Sequence, residues 1–156
     1  MHVIIATDGS KQSLTAARYA TTILDPGKIS AVSVIAVVRP LAAVSFSNEL
    51  GGGASTMSSL EHASFRAEAV AATEAIAAVF DGWGPKVTSR VRSGSPANEI
   101  IKAAAQLGAG LIVVASGSRG ITDTILLGST AQRVQQYAPC PVLVVRPARK
   151  PSRKKA

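Results

Sequence analysis

The residues best placed for chemistry lie in two turns. The first is Ser116-Gly117-Ser118-Arg119-Gly120, directly after the apolar run Leu111 to Ala115 and continuing to Leu127-Gly128-Ser129 at the start of a helical segment. Glycines let backbone N–H groups close around phosphate oxygens, and a helix N-terminus adds free donors and a favourable dipole. Ser129 is placed to cap that helix or to donate its hydroxyl to a phosphate. On spacing alone the glycines could equally do no more than make turns. No Gly-Lys-Ser/Thr follows, so this is not a Walker A loop, and the dinucleotide fingerprint is absent after the first strand. Arg119 is either a bidentate phosphate partner or a solvated loop arginine. The second turn is Thr7-Asp8-Gly9-Ser10, which ends the run Val3-Ile4-Ile5-Ala6.

Other candidates carry less. Asp8 could serve as a general base or metal ligand, but no second carboxylate lies in these motifs, and Asp123 reads as a turn residue. Cys140 enters an apolar strand with no neighbouring base, which favours packing over nucleophilic chemistry. His2 and His62 lack metal-ligand spacing. Trp83, in a Gly/Pro turn, is expected to plug the sheet edge or pack beneath the loop.

The elements that must hold these turns follow from the pattern. Val3 to Ala6 reads as a strand buried on both faces, and Ser10 opens a helix that Pro26-Gly27 stops. Ile29 to Val38 is a second strand closed by Pro40. Leu41 to Ser59, with Gly51-Gly52-Gly53 inside it, is too long and polar for an ordinary connection and reads as a functional lid or an unstructured segment. An Ala/Glu-rich helix is expected from about Leu60 to Phe80, broken by Asp81-Gly82-Trp83-Gly84-Pro85. Lys86 to Arg92 is a strand. Ser95-Pro96 starts a helix that Gly108 and Gly110 end, and Leu111 to Ala115 is the fourth strand. Ser129 to Tyr137 is a short helix, and Val142 to Val145 the fifth strand. Apolar strands alternating with helices imply an α/β domain: a parallel sheet covered on both faces, wound in flavodoxin-like or Rossmann-like order. Ligands of such sheets bind beyond the carboxyl ends of the strands where the winding reverses, which directs attention to Thr7-Asp8.

Composition bounds the rest. A chain of 156 residues suits one domain. Its longest apolar runs fall far short of the ~20 residues of a membrane span, and the N-terminal residues carry no secretory pattern. A single cysteine excludes an intrachain disulfide and a thiolate metal cluster, so a cytoplasmic location is expected. The net charge of +8 is mostly local: residues 146–156 hold six basic residues and no acid, against eleven basic and nine acidic residues before them. Residues 147–156 are therefore expected to be a disordered basic tail, with nucleic acid unlikely as a partner except through it.

In their order, Ala6-Thr7-Asp8-Gly9-Ser10, the Gly-x2-Gly … Gly-Ser loop, and Ala138-Pro139-Cys140-Pro141-Val142-Leu143-Val144-Val145-Arg146 resemble the universal stress protein family, over roughly residues 2 to 146. The resemblance implies one domain over residues 1–146 and a five-stranded parallel sheet of order 3-2-1-4-5, Rossmann-like and of the adenine nucleotide alpha hydrolase type. It also implies a homodimer joined through Val142, Leu143, Val144 and Val145. ATP or another adenine nucleotide, with Mg2+ as a candidate companion, is the implied ligand. Ala6, Thr7 and Asp8 would face adenine or ribose, Val37 the adenine edge, and Gly117, Arg119, Gly120, Gly128, Ser129 and Thr130 the phosphates. One feature departs from the family pattern, which has nine residues between its second and third glycines. Ile121 to Leu127 supplies seven, shortening the reach by up to ~7 Å. That could close the phosphate cradle or favour AMP or a cyclic nucleotide. Two functions stay open: a nucleotide-binding stress-response regulator that is no enzyme beyond slow incidental hydrolysis, or a nucleotide-free dimeric module with a vestigial loop that binds a protein partner.

Overall fold

The structure, a computed structural model, describes residues 1–40, 54–117 and 127–146, with the side chains of residues 54–59 left aside. Five parallel strands form one sheet: β1 (His2–Thr7), β2 (Ala31–Val38), β3 (Lys86–Ser93), β4 (Ala109–Ala115) and β5 (Val142–Val145), in the order β3-β2-β1-β4-β5. The helices are α1 (Lys11–Ile23), α2 (Ala54–Ala77), α3 (Pro96–Leu107) and α4 (Ser129–Tyr137). Every inner residue of β1 and β2 from Val3 to Ala6 and from Val32 to Ala36 is buried, because helices cover both faces. Val3, Ile5, Val32, Val34 and Val113 pack under α1 and α2 with Phe80 and Ile76. Ile4, Ala6, Ile35, Ile112 and Val114 pack under α3 and α4.

The helix ends follow local chemistry. Ser10 caps α1 by accepting from the Ser13 amide, and a 3-10 turn at Pro26–Lys28 follows the helix. Pro96 occupies the first turn of α3, and Gly108 ends it in the left-handed region at φ 58°, its amide reaching the carbonyls of Ala104 and Ala105. Gly110 is not part of that stop; it lies in β4.

One expected boundary is corrected. The helix expected from Leu60 begins at Ala54, so residues 54–59 of the expected lid are the opening turns of α2. Alanine carries no helix-breaking cost, and the polar residues there hid the start. The remainder of the lid, residues 41–53, lies outside the described residues, as do Arg119, Gly120 and the whole basic tail. Trp83 packs edge-on against Phe80, ring centroids 5.4 Å apart, and so covers the α1/α2 core.

The sheet positions a site at its carboxyl edge. The β1–β2 ladder continues to Thr7↔Ala36, whereas the β1–β4 ladder runs only to Ile5↔Val113. The two neighbours of β1 therefore part beyond that register, where the winding reverses.

Candidate functional site

Asp8 stands at the carboxyl end of β1, exposed, with Oδ1 accepting from the Ser10 amide at 3.0 Å. Its second oxygen has no hydrogen-bond partner among the described residues. The turn beneath it is held by a directional chain. The Gly9 amide donates to Thr7 Oγ1 at 3.1 Å, and Ser13 Oγ donates to the Ser10 carbonyl at 2.8 Å. In the 2.8 Å contact between Thr7 Oγ1 and Ser13 Oγ, Thr7 is then the donor. The Thr7 hydroxyl, expected to face a ligand, is committed to shaping the turn that presents Asp8. Gly9 adopts φ 77°, which this tight turn requires, and a Cβ there would lie 3.6 Å from that of Ala72 on α2.

An open cleft of about 650 Å³ spans this edge. Thr7, Asp8 and Gly9 form its floor, Ala36 to Arg39 one side, and Phe65, Glu68, Ala69, Ala71 and Ala72 of α2 the other. Val37 borders it, while its side chain packs into the α3/α4 core. Ala6 is buried in that same core and does not line the cleft. The ion pairs among the described residues, Arg92–Glu99 at 2.9 Å and Lys102–Glu99 at 3.0 Å, lie on β3 and α3 and leave Asp8, Glu68 and Arg39 uninvolved. The hydrogen bonds from Arg92, then Lys102, hold the Glu99 carboxyl below its usual range.

The glycine-marked loop begins and ends at one place. Gly128 donates its amide to the Ser116 carbonyl at 2.6 Å, and a Cβ on Gly128 would lie 3.4 Å from the Gly117 Cα. Gly117 has φ 94°, so its glycine is needed by the backbone; Gly128 has φ −61° and ψ 149°, open to any residue. Gly128, not Ser129, is the N-cap of α4, and no side-chain cap bond is made at that position among the described residues. The amides of its first turn, including those of Ser129 and Thr130, thus have no intrahelical acceptor and can meet an anion. Ser116 Oγ is fully buried there without a hydrogen-bond partner among the described residues.

The structure thus brings Thr7, Asp8 and Val37 to one cleft, and Gly117, Gly128, Ser129 and Thr130 to the neighbouring end of β4. Sequence reasoning missed Ser13, Arg39, Ser116 and the α2 wall. Phe65, Glu68, Ala69 and Ala72 follow the i, i+3, i+4, i+7 spacing of one helix face, which was the available signal. Cys140 is half-buried and burial pushes its thiol up from the ordinary value, in keeping with a packing role. Among the described residues no group of His, Cys, Asp and Glu could hold a metal, and no helix is long and apolar enough to cross a membrane.

Comparison with known proteins agrees with this architecture. The model of the universal stress protein family matches residues 1–146. Universal stress protein MJ0531 of Methanocaldococcus jannaschii is 34% identical over 148 residues, covering 95% of this chain and 83% of that protein. Among solved structures, hypothetical protein MJ0577 superposes with a TM-score of 0.79 at 23% identity, covering 96% of this chain and 97% of that one. The Arabidopsis thaliana family member holding AMP gives 0.63 at 16% identity, with 98% and 97% covered. A universal stress protein in complex with cAMP gives 0.61 at 22% identity, with 94% and 96% covered. The sheet order, the motifs at both ends of the fold and the family match agree, and the chain belongs to the universal stress protein family.

Proposed function

We propose that this chain is an adenine-nucleotide-binding regulator in the stress response, working in the cytoplasm as a homodimer and by binding rather than by turnover. The observation that carries the proposal is the cleft at the winding reversal, with Asp8 on its floor and the first-turn amides of α4 at the neighbouring strand end. A nucleoside would occupy the cleft between β1, β2 and α2, and its phosphate would meet the first-turn amides of α4. The nucleotides held by relatives of the same fold, AMP and cAMP, support that ligand class.

A monophosphate is the preferred ligand. Only seven residues separate Gly120 from Gly128, and the Gly128 amide is already engaged by Ser116, which leaves fewer donors for a long phosphate chain. ATP, with Mg2+ on its phosphates, is expected to bind more weakly than AMP. The same closed neck favours a second reading, in which the loop is vestigial and the domain acts as a nucleotide-free partner-binding module. For the dimer, support comes from β5, the last strand of the sheet, whose Val142, Leu143 and Val144 are only half-buried.

Binding of AMP to Asp8→Ala tests the site assignment. Loss of a hydrogen bond to a buried ligand group weakens binding by about 1–3 kcal/mol; unchanged affinity in the folded variant contradicts it.

A further inference from the structure

We infer that Phe65 and Glu68 of α2 form the specificity wall for the nucleoside, Phe65 stacking on the base and Glu68 accepting hydrogen bonds from its N–H or O–H groups. This deepens the nucleotide-binding reading and rests on it. Phe65 is 48% exposed, a large aromatic ring left open to the cleft rather than packed into either core. It lies three residues, just under one helical turn, before Glu68, so the two side chains share the face that looks across to β1 and β2. Ala36 faces them from the β2 side and Ala69 and Ala72 continue their own wall, so small apolar side chains leave room for a flat ring.

Charge fixes the orientation. Asp8 on the floor and Glu68 on the α2 wall both line the cleft, and Arg39 is the single cation among its described lining residues. Ionised carboxylates only accept hydrogen bonds. Two of them repel a phosphate but suit the amino group of a purine and the hydroxyls of ribose. A purine between Phe65 and the β2 side at Ala36 would gain stacking, and the phosphate would be directed away from Glu68 toward α4.

The test compares adenosine, AMP and ATP binding to the wild-type chain, Phe65→Ala, Glu68→Gln and Asp8→Ala by titration calorimetry. Phe65 and Glu68 are exposed on α2, so circular dichroism and melting should match the wild type. Phe65→Ala should weaken adenosine and AMP alike by about 5- to 150-fold, the range of one base–aromatic stack. Glu68→Gln should weaken both by a common factor of about two to ten. A gain in AMP or ATP affinity relative to adenosine in Glu68→Gln would place that carboxylate beside the phosphates and overturn the inference. Unchanged affinities in both α2 variants, with Asp8→Ala still impaired, would overturn it while the nucleotide-binding reading stands. No binding by the wild-type chain would overturn both.

Discussion

The Gly128 amide donates to the Ser116 carbonyl across 2.6 Å, so the end of β4 and the start of α4 meet at one point. That bond fixes the start of α4 against the end of β4 independently of the loop between. It also explains why glycine serves two different purposes at this neck. Gly117 is held at φ 94°, while Gly128 has an ordinary backbone and a Cβ there would make only normal contacts.

Gly128→Ala should therefore cost little stability, no more than about 1 kcal/mol, since the N-cap preference separating glycine from alanine is of that order. If phosphate meets the first turn of α4, the added methyl should still reduce AMP affinity. Chemical denaturation and calorimetry on the same protein check this. A variant that folds and binds like the wild type would remove the phosphate from that helix end.

Ser116 makes a separate prediction. Its buried hydroxyl has no partner among the described residues, so Ser116→Ala removes a desolvated polar group without leaving another of them behind. Stability should be unchanged or raised, by up to about 1–3 kcal/mol, the penalty of an unsatisfied buried group. Denaturant unfolding reads the sign, and a loss beyond 1 kcal/mol would show that the hydroxyl is hydrogen-bonded after all.

Most of the architecture was legible in the residues. Fully apolar strands could be read because both sheet faces are covered, and Ser10, Pro96 and Gly108 marked helix ends by chemistry that acts locally. The α2 wall was not legible. Its cleft-facing stripe is mostly alanine, with one aromatic and one acid, and alanine signals helix without signalling which side is buried. The role of Thr7 was also hidden, because its partner Ser13 comes within reach only once the turn and α1 form.

The outer edge of β5 tests the dimer. The Ile112 and Ser116 amides donate to the Pro141 and Val145 carbonyls, so residues 141, 143 and 145 face β4 and the backbone of Val142 and Val144 faces outward. Val144→Pro removes one outward N–H without touching the ladder to β4. Analytical ultracentrifugation should move from twice 15.9 kDa for the wild type toward 15.9 kDa for the variant. A dimer that survives the substitution must be joined elsewhere.

Acid stability should depend on Glu99. Its hydrogen bonds to Arg92 and Lys102 favour the charged form, so its folded value lies below its unfolded one. The contribution is complete above the unfolded value and is lost as pH falls through the folded value. Melting curves of the wild type and Glu99→Gln should differ at neutral pH and converge in strong acid. A constant difference across that range would show that the charge is immaterial.

The proposed function requires an adenine nucleotide at the ends of β1 and β2. Titration calorimetry of AMP and ATP into the unmodified chain tests it most directly. Saturable binding of AMP is expected at one nucleotide per chain, with a Kd below about 1 mM (roughly −4 kcal/mol), and weaker binding of ATP. Absence of binding heat for AMP, ATP and cAMP at millimolar ligand, over a range of temperatures, would contradict it and leave the nucleotide-free module standing.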